Sequence, residues 1–178
     1  MDPTAANLQA LVGKNFTMDP KLAPRGKDPM LQSSGCTLDA SGSTVSMKRT
    51  DPGDGMWVPY AAGCVFVGYL SGSQGYVASG PFSGCKFAVG SANGRVFGAH
   101  IAMPGPDSEE EYQAYRTANK LSEWYFNKIP VPDTASYSAS FMFATVGGGK
   151  ILTMARMDVR VTTMGGGDGS IFNVYKFK

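Results

Sequence analysis

The sequence predicts a mainly β protein with one main helix, folded as a β-sandwich, and three observations predict it. Glycine is abundant, at 23 of 178 residues, while only 17% of residues are charged, a balance that suits a turn-rich β protein. Short apolar-rich runs of strand length recur along the chain between glycine-rich turns. A single segment carries helical periodicity behind an N-terminal capping signature. At 178 residues the chain is long enough for one domain with a substantial core.

Residues 1–30 contain Pro3, Pro20, Pro24 and Pro29 with little periodicity, which predicts a loose leader or linker. Within it, "LQALVG" at 8–13 has room for one short helical turn. Residues 31–178 then read as a single β domain. Its first half holds strand-like runs: "STVSMKR" (43–49), "MWVPY" (56–60), "CVFVGYL" (64–70), "CKFAVG" (85–90) and "RVFGAHI" (95–101). The stretch "DSEEEYQAYRTANKLSEWYFNKIP" (107–130) predicts the helix. Ser108 with Glu111 makes a capping box, acids fill the first turn, and Tyr112, Tyr115, Leu121, Trp124 and Tyr125 form an approximate stripe that ends before Pro130. Strands resume with "SYSASFMFATV" (136–146), "KILTMARMDVRVTTM" (150–164) and "SIFNVYKFK" (170–178), split by "GGGK" and "GGGDG". Met154, Ala155, Met157, Val159 and Val161 alternate in part with Arg156, Asp158 and Arg160, as on a half-exposed strand.

Composition excludes several functions. A net charge of +2 with scattered cations gives no electrostatic case for nucleic acid. No apolar run reaches the ~20 residues of a membrane span, and the first residues lack the basic and apolar regions of a secretory signal. Cys36, Cys64 and Cys85 are odd in number and form no C-x-x-C pair, and His100 is the sole histidine, so neither a disulfide framework nor a zinc site is expected. A reducing compartment suits such thiols. "GGGK" at 147–150 is a hairpin turn rather than a phosphate loop, because Ala144 and Ile151 stand where that motif needs a glycine and a Ser or Thr. "GGGDGS" lacks the spaced acids of a calcium loop, and Trp57 and the phenylalanines read as core. No cofactor is expected.

The stretch "SGCKFAVGSANGRVFGAHI" carries the chemistry. Cys85 precedes His100 by fifteen residues, with the hairpin-turn signal Asn93-Gly94 between them. If Asn93-Gly94 is the loop, Phe87 faces His100 and Cys85 is the diagonal neighbour of His100 on the same face. If Ala92-Asn93 or Ser91 to Gly94 is the loop, the two residues face each other directly. An odd loop without a bulge puts them on opposite faces. On one face, Cβ atoms lie ~5 Å apart when directly opposed and ~7 Å apart on the diagonal, within approach of sulfur and imidazole. An imidazolium beside a thiol lowers its pKa and makes a thiolate nucleophile, and the same ring then protonates the leaving group. The Ser83-Gly84 run-in allows the backbone N–H groups of Cys85 and Lys86 to serve as an oxyanion hole. Cys64, in an apolar strand, reads as inert, and Cys36 as part of a turn.

"SGCK" followed by "HIAMP" resembles the toxin glutamine deamidases with an L-S-G-C motif, namely the cytotoxic necrotizing factor catalytic domain and Burkholderia lethal factor. "MWVPY" and an acidic, tryptophan-containing helix after the histidine are also similar, so the resemblance spans roughly residues 45–130. Phe82 stands in place of the motif's leucine. "AHIAMP" is similar to the chemoreceptor deamidases as well. The resemblance implies a β-sandwich of the toxin-deamidase type and a cysteine–histidine enzyme, with Cys85 and His100 as the catalytic pair. It places Ser79 near the supporting threonine of the lethal factor. It also implies that a backbone carbonyl orients the histidine, for which the segment 56–60 is the candidate.

The expectation is therefore a bacterial toxin or effector, delivered into a host cell, that acts as a protein-glutamine deamidase. It would work as a monomer on a host protein, either a translation-initiation helicase or a Rho-type GTPase. Two alternatives stay open: a transglutaminase or cysteine protease using the same site, and a β-sandwich binding module without chemistry.

Overall fold

The computed structural model describes residues 1–27, 30–103, 105–132, 137–161 and 168–177. Pro29, Pro104 and the first three glycines of the GGGDGS turn thus lie outside the described residues. Among the described residues the protein is mostly β with one main helix, but the strands do not divide into the two open sheets of a plain sandwich. Eight of them close into a barrel and four form a separate sheet.

The barrel strands are β1 (Asn15–Met18), β2 (Ser34–Ser41), β3 (Thr44–Arg49), β4 (Gly55–Val58), β6 (Tyr76–Phe82), β10 (Ser138–Gly147), β11 (Lys150–Val161) and β12 (Gly169–Lys176). They run in the order β1-β12-β11-β10-β6-β4-β2-β3, and β1 pairs in parallel with β3 to close the ring. The second sheet holds β5 (Val65–Tyr69), β7 (Lys86–Ala92), β8 (Arg95–Ile101) and β9 (Ser122–Lys128), in the antiparallel order β5-β8-β7-β9. Helix α2 (Pro106–Asn119) covers this sheet. The remaining helical pieces are α1 (Ala5–Gln9) and a 3-10 turn at Pro20–Leu22.

Alternation of side chains sorts the apolar residues into three cores. Phe16, Leu38, Met47, Trp57, Phe141, Phe143 and Met157 fill the barrel. Met56, Val58, Phe66, Val77, Phe82, Phe87 and Met142 lie between the outer wall of the barrel and the second sheet. Val67, Ala88, Phe97, Ala99 and Ile101 on the far face of that sheet meet Tyr112 of α2. The approach of sheet to barrel is tight at Gly98, where a Cβ would sit 2.3 Å from Val77 Cγ1.

Four expectations are corrected. Residues 1–30 are no loose leader: β1 completes the barrel, and Leu8, Leu11, Phe16 and Leu22 are buried in its core. Cys36 is no turn residue but lies buried in β2, with its thiol donating to the Tyr76 hydroxyl at 3.8 Å. The helix starts at Pro106 behind Gly105, so Ser108 is a buried helical residue and not the cap. It stops at Asn119, where Lys120 takes a left-handed φ of 52°, and the second half of the predicted helix is strand β9. Trp124, Tyr125 and Phe126 favour a strand, and β7 offers them an open edge to pair with. Lastly, the polar face of β11 is exposed at Arg160 as expected but covered at Arg156 and Asp158. Arg156 and Asp158 are buried as an ion pair with Nε 2.9 Å from Oδ1, and Ser140 donates to the same carboxylate at 2.7 Å.

The "GGGK" stretch is the β10–β11 hairpin turn as expected, with Gly148 and Gly149 at φ of 58° and 71°. No described helix is long and apolar enough to cross a membrane.

Candidate active site

The β7–β8 hairpin turns through Asn93-Gly94, both with positive φ, and pairs Ala92 with Arg95. This is the first of the three registers the sequence allowed. Phe87 consequently faces His100, and Cys85 lies diagonal to it on the same face. That face looks onto the barrel, so Cys85 and His100 enter the layer between sheet and barrel wall with Phe82, Phe87 and Cys64.

The barrel reaches back to meet them. Val77 and Ser79 point outward from β6 while Tyr76 and Ala78 point into the barrel. Ser79 Oγ lies 2.8 Å from His100 Nδ1 and donates to the Val58 carbonyl of β4, also at 2.8 Å. A serine hydroxyl has one proton, and the carbonyl can only accept it. His100 Nδ1–H is therefore the donor to Ser79 Oγ, and Nε2 carries the free lone pair. Phe82 stacks on the imidazole with centroids 4.0 Å apart and planes at 4°, and Tyr60 packs on it at 5.0 Å. Nε2 is buried and has no hydrogen-bond partner among the described residues. The expected serine and the expected segment 56–60 thus meet at the histidine, and Val58 is the residue whose carbonyl ends the relay.

Charge at the site differs from the expectation of a thiolate–imidazolium pair. Burial pushes the His100 imidazole down to about 3, so the ring is neutral. Burial also raises the Cys85 thiol, opposed by hydrogen bonding to the backbone at Met103 and Ser83 and by the Lys128 ammonium. The residue is only 2% exposed, and its Sγ donates weakly to the Met103 carbonyl at 3.9 Å. Thiol and imidazole share a face without a hydrogen bond between them. The resting pair is neutral, and the imidazolium-lowered thiol expected from the sequence is absent because a buried ring disfavours the cation.

The oxyanion donors also need correction. The Cys85 carbonyl accepts from the Ile129 N–H at 2.8 Å, so the Cys85 peptide faces β9 in the plane of the sheet. By alternation Lys86 faces Ile101 of β8, and its N–H is committed to the ladder. The Cys85 N–H donates to no backbone carbonyl among the described residues. Gly84, before it, adopts a φ of 106°, a turn that a side chain would strain. Lys86 contributes through its side chain instead: its ammonium pairs with Glu109 in the first turn of α2 and so ties the helix to the hairpin.

Of the other thiols, Cys64 is buried and donates to the Ala62 carbonyl at 3.6 Å, while burial pushes Cys36 up to about 12. All three cysteines are free. Among the described residues no cluster of His, Cys, Asp and Glu is arranged to hold a metal ion. Sequence reasoning missed Phe82 and Tyr60 as partners of the imidazole. Tyr60 stood in the quoted "MWVPY", but strand β6, which carries Ser79 and Phe82, is interrupted by Gly80-Pro81 and gave no strand signal. No protein-family model and no curated protein matches the chain.

Proposed function

We propose that this protein is a protein-glutamine deamidase of the toxin type, a bacterial effector that acts on a protein of another cell. One observation carries the reading. A buried, neutral imidazole is held by one nitrogen through Ser79 to Val58 O, and its other nitrogen is left with a free lone pair and unpartnered on the face that bears Cys85. A structural histidine satisfies both nitrogens, because an orphaned buried polar atom costs about 1–3 kcal/mol. A general base keeps one free.

Rotation of the Cys85 side chain away from Met103 O brings the thiol toward His100. Nε2 then takes the S–H proton as sulfur attacks the carboxamide carbon of a substrate glutamine, forming the C–S bond. The tetrahedral oxyanion is met by the Cys85 N–H. The imidazolium returns its proton to the amide nitrogen, the C–N bond breaks, and ammonia leaves a thioester. His100 next takes a proton from water, hydroxide displaces sulfur, and the products are glutamate and the restored thiol. The net reaction consumes one water and releases one ammonia. Because the cation exists only during turnover, low basicity at rest is compatible with this role.

The resemblance to the L-S-G-C toxins supports the same reading, since Ser79 and the carbonyl of Val58 occupy the parts expected of the supporting residue and the orienting carbonyl. A host GTPase of the Rho type or a translation-initiation helicase is the proposed target class.

The test is proteomics of a eukaryotic lysate treated with the protein in heavy-oxygen water. Glutamine-to-glutamate conversion with label incorporation is expected for the wild type and not for Cys85→Ala. Cleaved targets would point to a protease, amine adducts to a transglutaminase, and conversion by Cys85→Ala would end the reading.

A further inference from the structure

Of the two backbone donors expected for an oxyanion, the Lys86 N–H is committed to the ladder and the Cys85 N–H remains, and a single donor is a poor hole. We propose that the Tyr60 hydroxyl is the second donor, a catalytic group that hydrogen-bonds the oxygen of the substrate carboxamide as it becomes an oxyanion. This inference rests on the deamidase reading and adds a residue to it.

Tyr60 stands two residues beyond Val58, across the rigid Pro59, so the strand end that anchors the Ser79–His100 relay also fixes the tyrosine. Its ring packs on the imidazole with centroids 5.0 Å apart, in the same interlayer cluster as Cys85. It is only half-buried, and so bridges the buried histidine and the solvent from which a substrate arrives. Among the described residues the Tyr60 hydroxyl has no hydrogen-bond partner, which leaves it free to donate to a ligand. Burial, and after it the negative charge that Cys85 and Cys64 carry once ionised at high pH, raise the phenol above its ordinary value. The group therefore stays protonated and is a donor at every working pH. Of the other tyrosines at this sheet, Tyr112 donates to Glu123 at 2.8 Å and Tyr69 and Tyr115 bond each other at 3.1 Å, while Tyr125 of β9 packs on Phe87 and Phe177 rather than on the imidazole.

The proton inventory balances without further reactants. The phenol lends a hydrogen bond to the oxyanion and keeps its proton when the C=O re-forms, while His100 alone moves protons.

Tyr60→Phe preserves the ring against His100 and removes only the O–H. The variant is compared with wild type and Cys85→Ala on the lysate in heavy-oxygen water, and on a synthetic peptide carrying the converted glutamine. Thermal unfolding and Cys85-resolved iodoacetamide labelling accompany the assay. Alkylation forms no oxyanion, so labelling reads the thiol alone. The expected result is a fall in kcat of about 10²-fold with little change in KM, at unchanged melting temperature and unchanged labelling. Turnover within threefold of wild type overturns the inference while leaving the deamidase reading intact. A loss of turnover matched by an equal loss of labelling overturns it too, since the tyrosine would then act on the nucleophile. Conversion by Cys85→Ala, or none by wild type, removes the deamidase reading and the inference with it.

Discussion

Replacing Ser79 by alanine tests the relay directly. Ser79 and His100 are 0% and 1% exposed, so water replaces neither of the two hydrogen bonds that the serine makes at 2.8 Å. Ser79→Ala strands the His100 Nδ1–H and the Val58 carbonyl. Each orphaned group costs about 1–3 kcal/mol, which sets the expected loss for the two at about 2–6 kcal/mol. In a domain of this size, at about 3 °C per kcal/mol, that is a fall in melting temperature of about 6–18 °C. The catalytic effect is separate from the stability effect. Without an acceptor at Nδ1 the ring no longer favours the tautomer with a free Nε2, and loss of such an orienting partner costs about 10- to 100-fold in activity.

Urea unfolding followed by fluorescence measures the first effect, and the rate of glutamine conversion, corrected for folded fraction, measures the second. Ser79→Thr keeps the hydroxyl and is expected to recover the rate even if its extra methyl costs some stability. The reasoning fails if Ser79→Ala unfolds within about 0.5 kcal/mol of wild type and turns over at its rate. It fails equally if threonine rescues nothing.

Three further outcomes are expected. His100 is neutral when folded and has an ordinary pKa when unfolded, so its contribution is complete above about pH 6.5 and lost as pH falls toward about 3. Unfolding free energy should drop by about 1.4 kcal/mol per pH unit below pH 6 from this group, and His100→Gln should flatten that slope; an unchanged slope in the variant counts against a buried neutral imidazole. Lys128→Met keeps an aliphatic stem but removes the ammonium that lowers the Cys85 thiol, so iodoacetamide labelling of Cys85 at a fixed mildly alkaline pH should slow, with the gap narrowing in 1 M salt as about a 3 Å Debye length screens the charge. Equal labelling rates at low salt would show that the ammonium acts elsewhere. Gly98→Ala drives a methyl to 2.3 Å from Val77 and should cost about 1–3 kcal/mol by wedging sheet from barrel; a neutral variant would mean the layers are not tightly apposed.

The hairpin was legible because its information is local. Asn93-Gly94 names the turn, the turn sets the register, and period-two alternation then puts Cys85 and His100 on one face. Ser79 was reachable only by resemblance, since β6 approaches the hairpin through tertiary contact and Gly80-Pro81 hides it as a strand. The late boundary of the helix has a similar cause. "LSEWYFNK" carries apolar residues at spacings that suit either period, and the open edge of β7 decided between them. Residues 1–30 looked loose because β1 has no local partner: Asn15 pairs with Thr44 on one side and Ser170 on the other. Barrel rather than sandwich followed from that same pairing. Alternation tells which face of a strand is buried but not which strands become neighbours. The tautomer of His100, too, depends on a carbonyl that no spacing rule connects to it.

The seam between β1 and β12 joins residues near the two ends of the described chain. A ribosome must release everything from β1 through β12 before that seam can be sewn, and until then the barrel is a curled ribbon with raw backbone donors along both margins. Folding of the barrel is therefore a race between ring closure and edge-to-edge sticking, with the outcome decided by the arrival of β12. Clipping either margin strand would leave the chemistry-bearing hairpin whole in sequence and rob it of the wall that supplies Ser79.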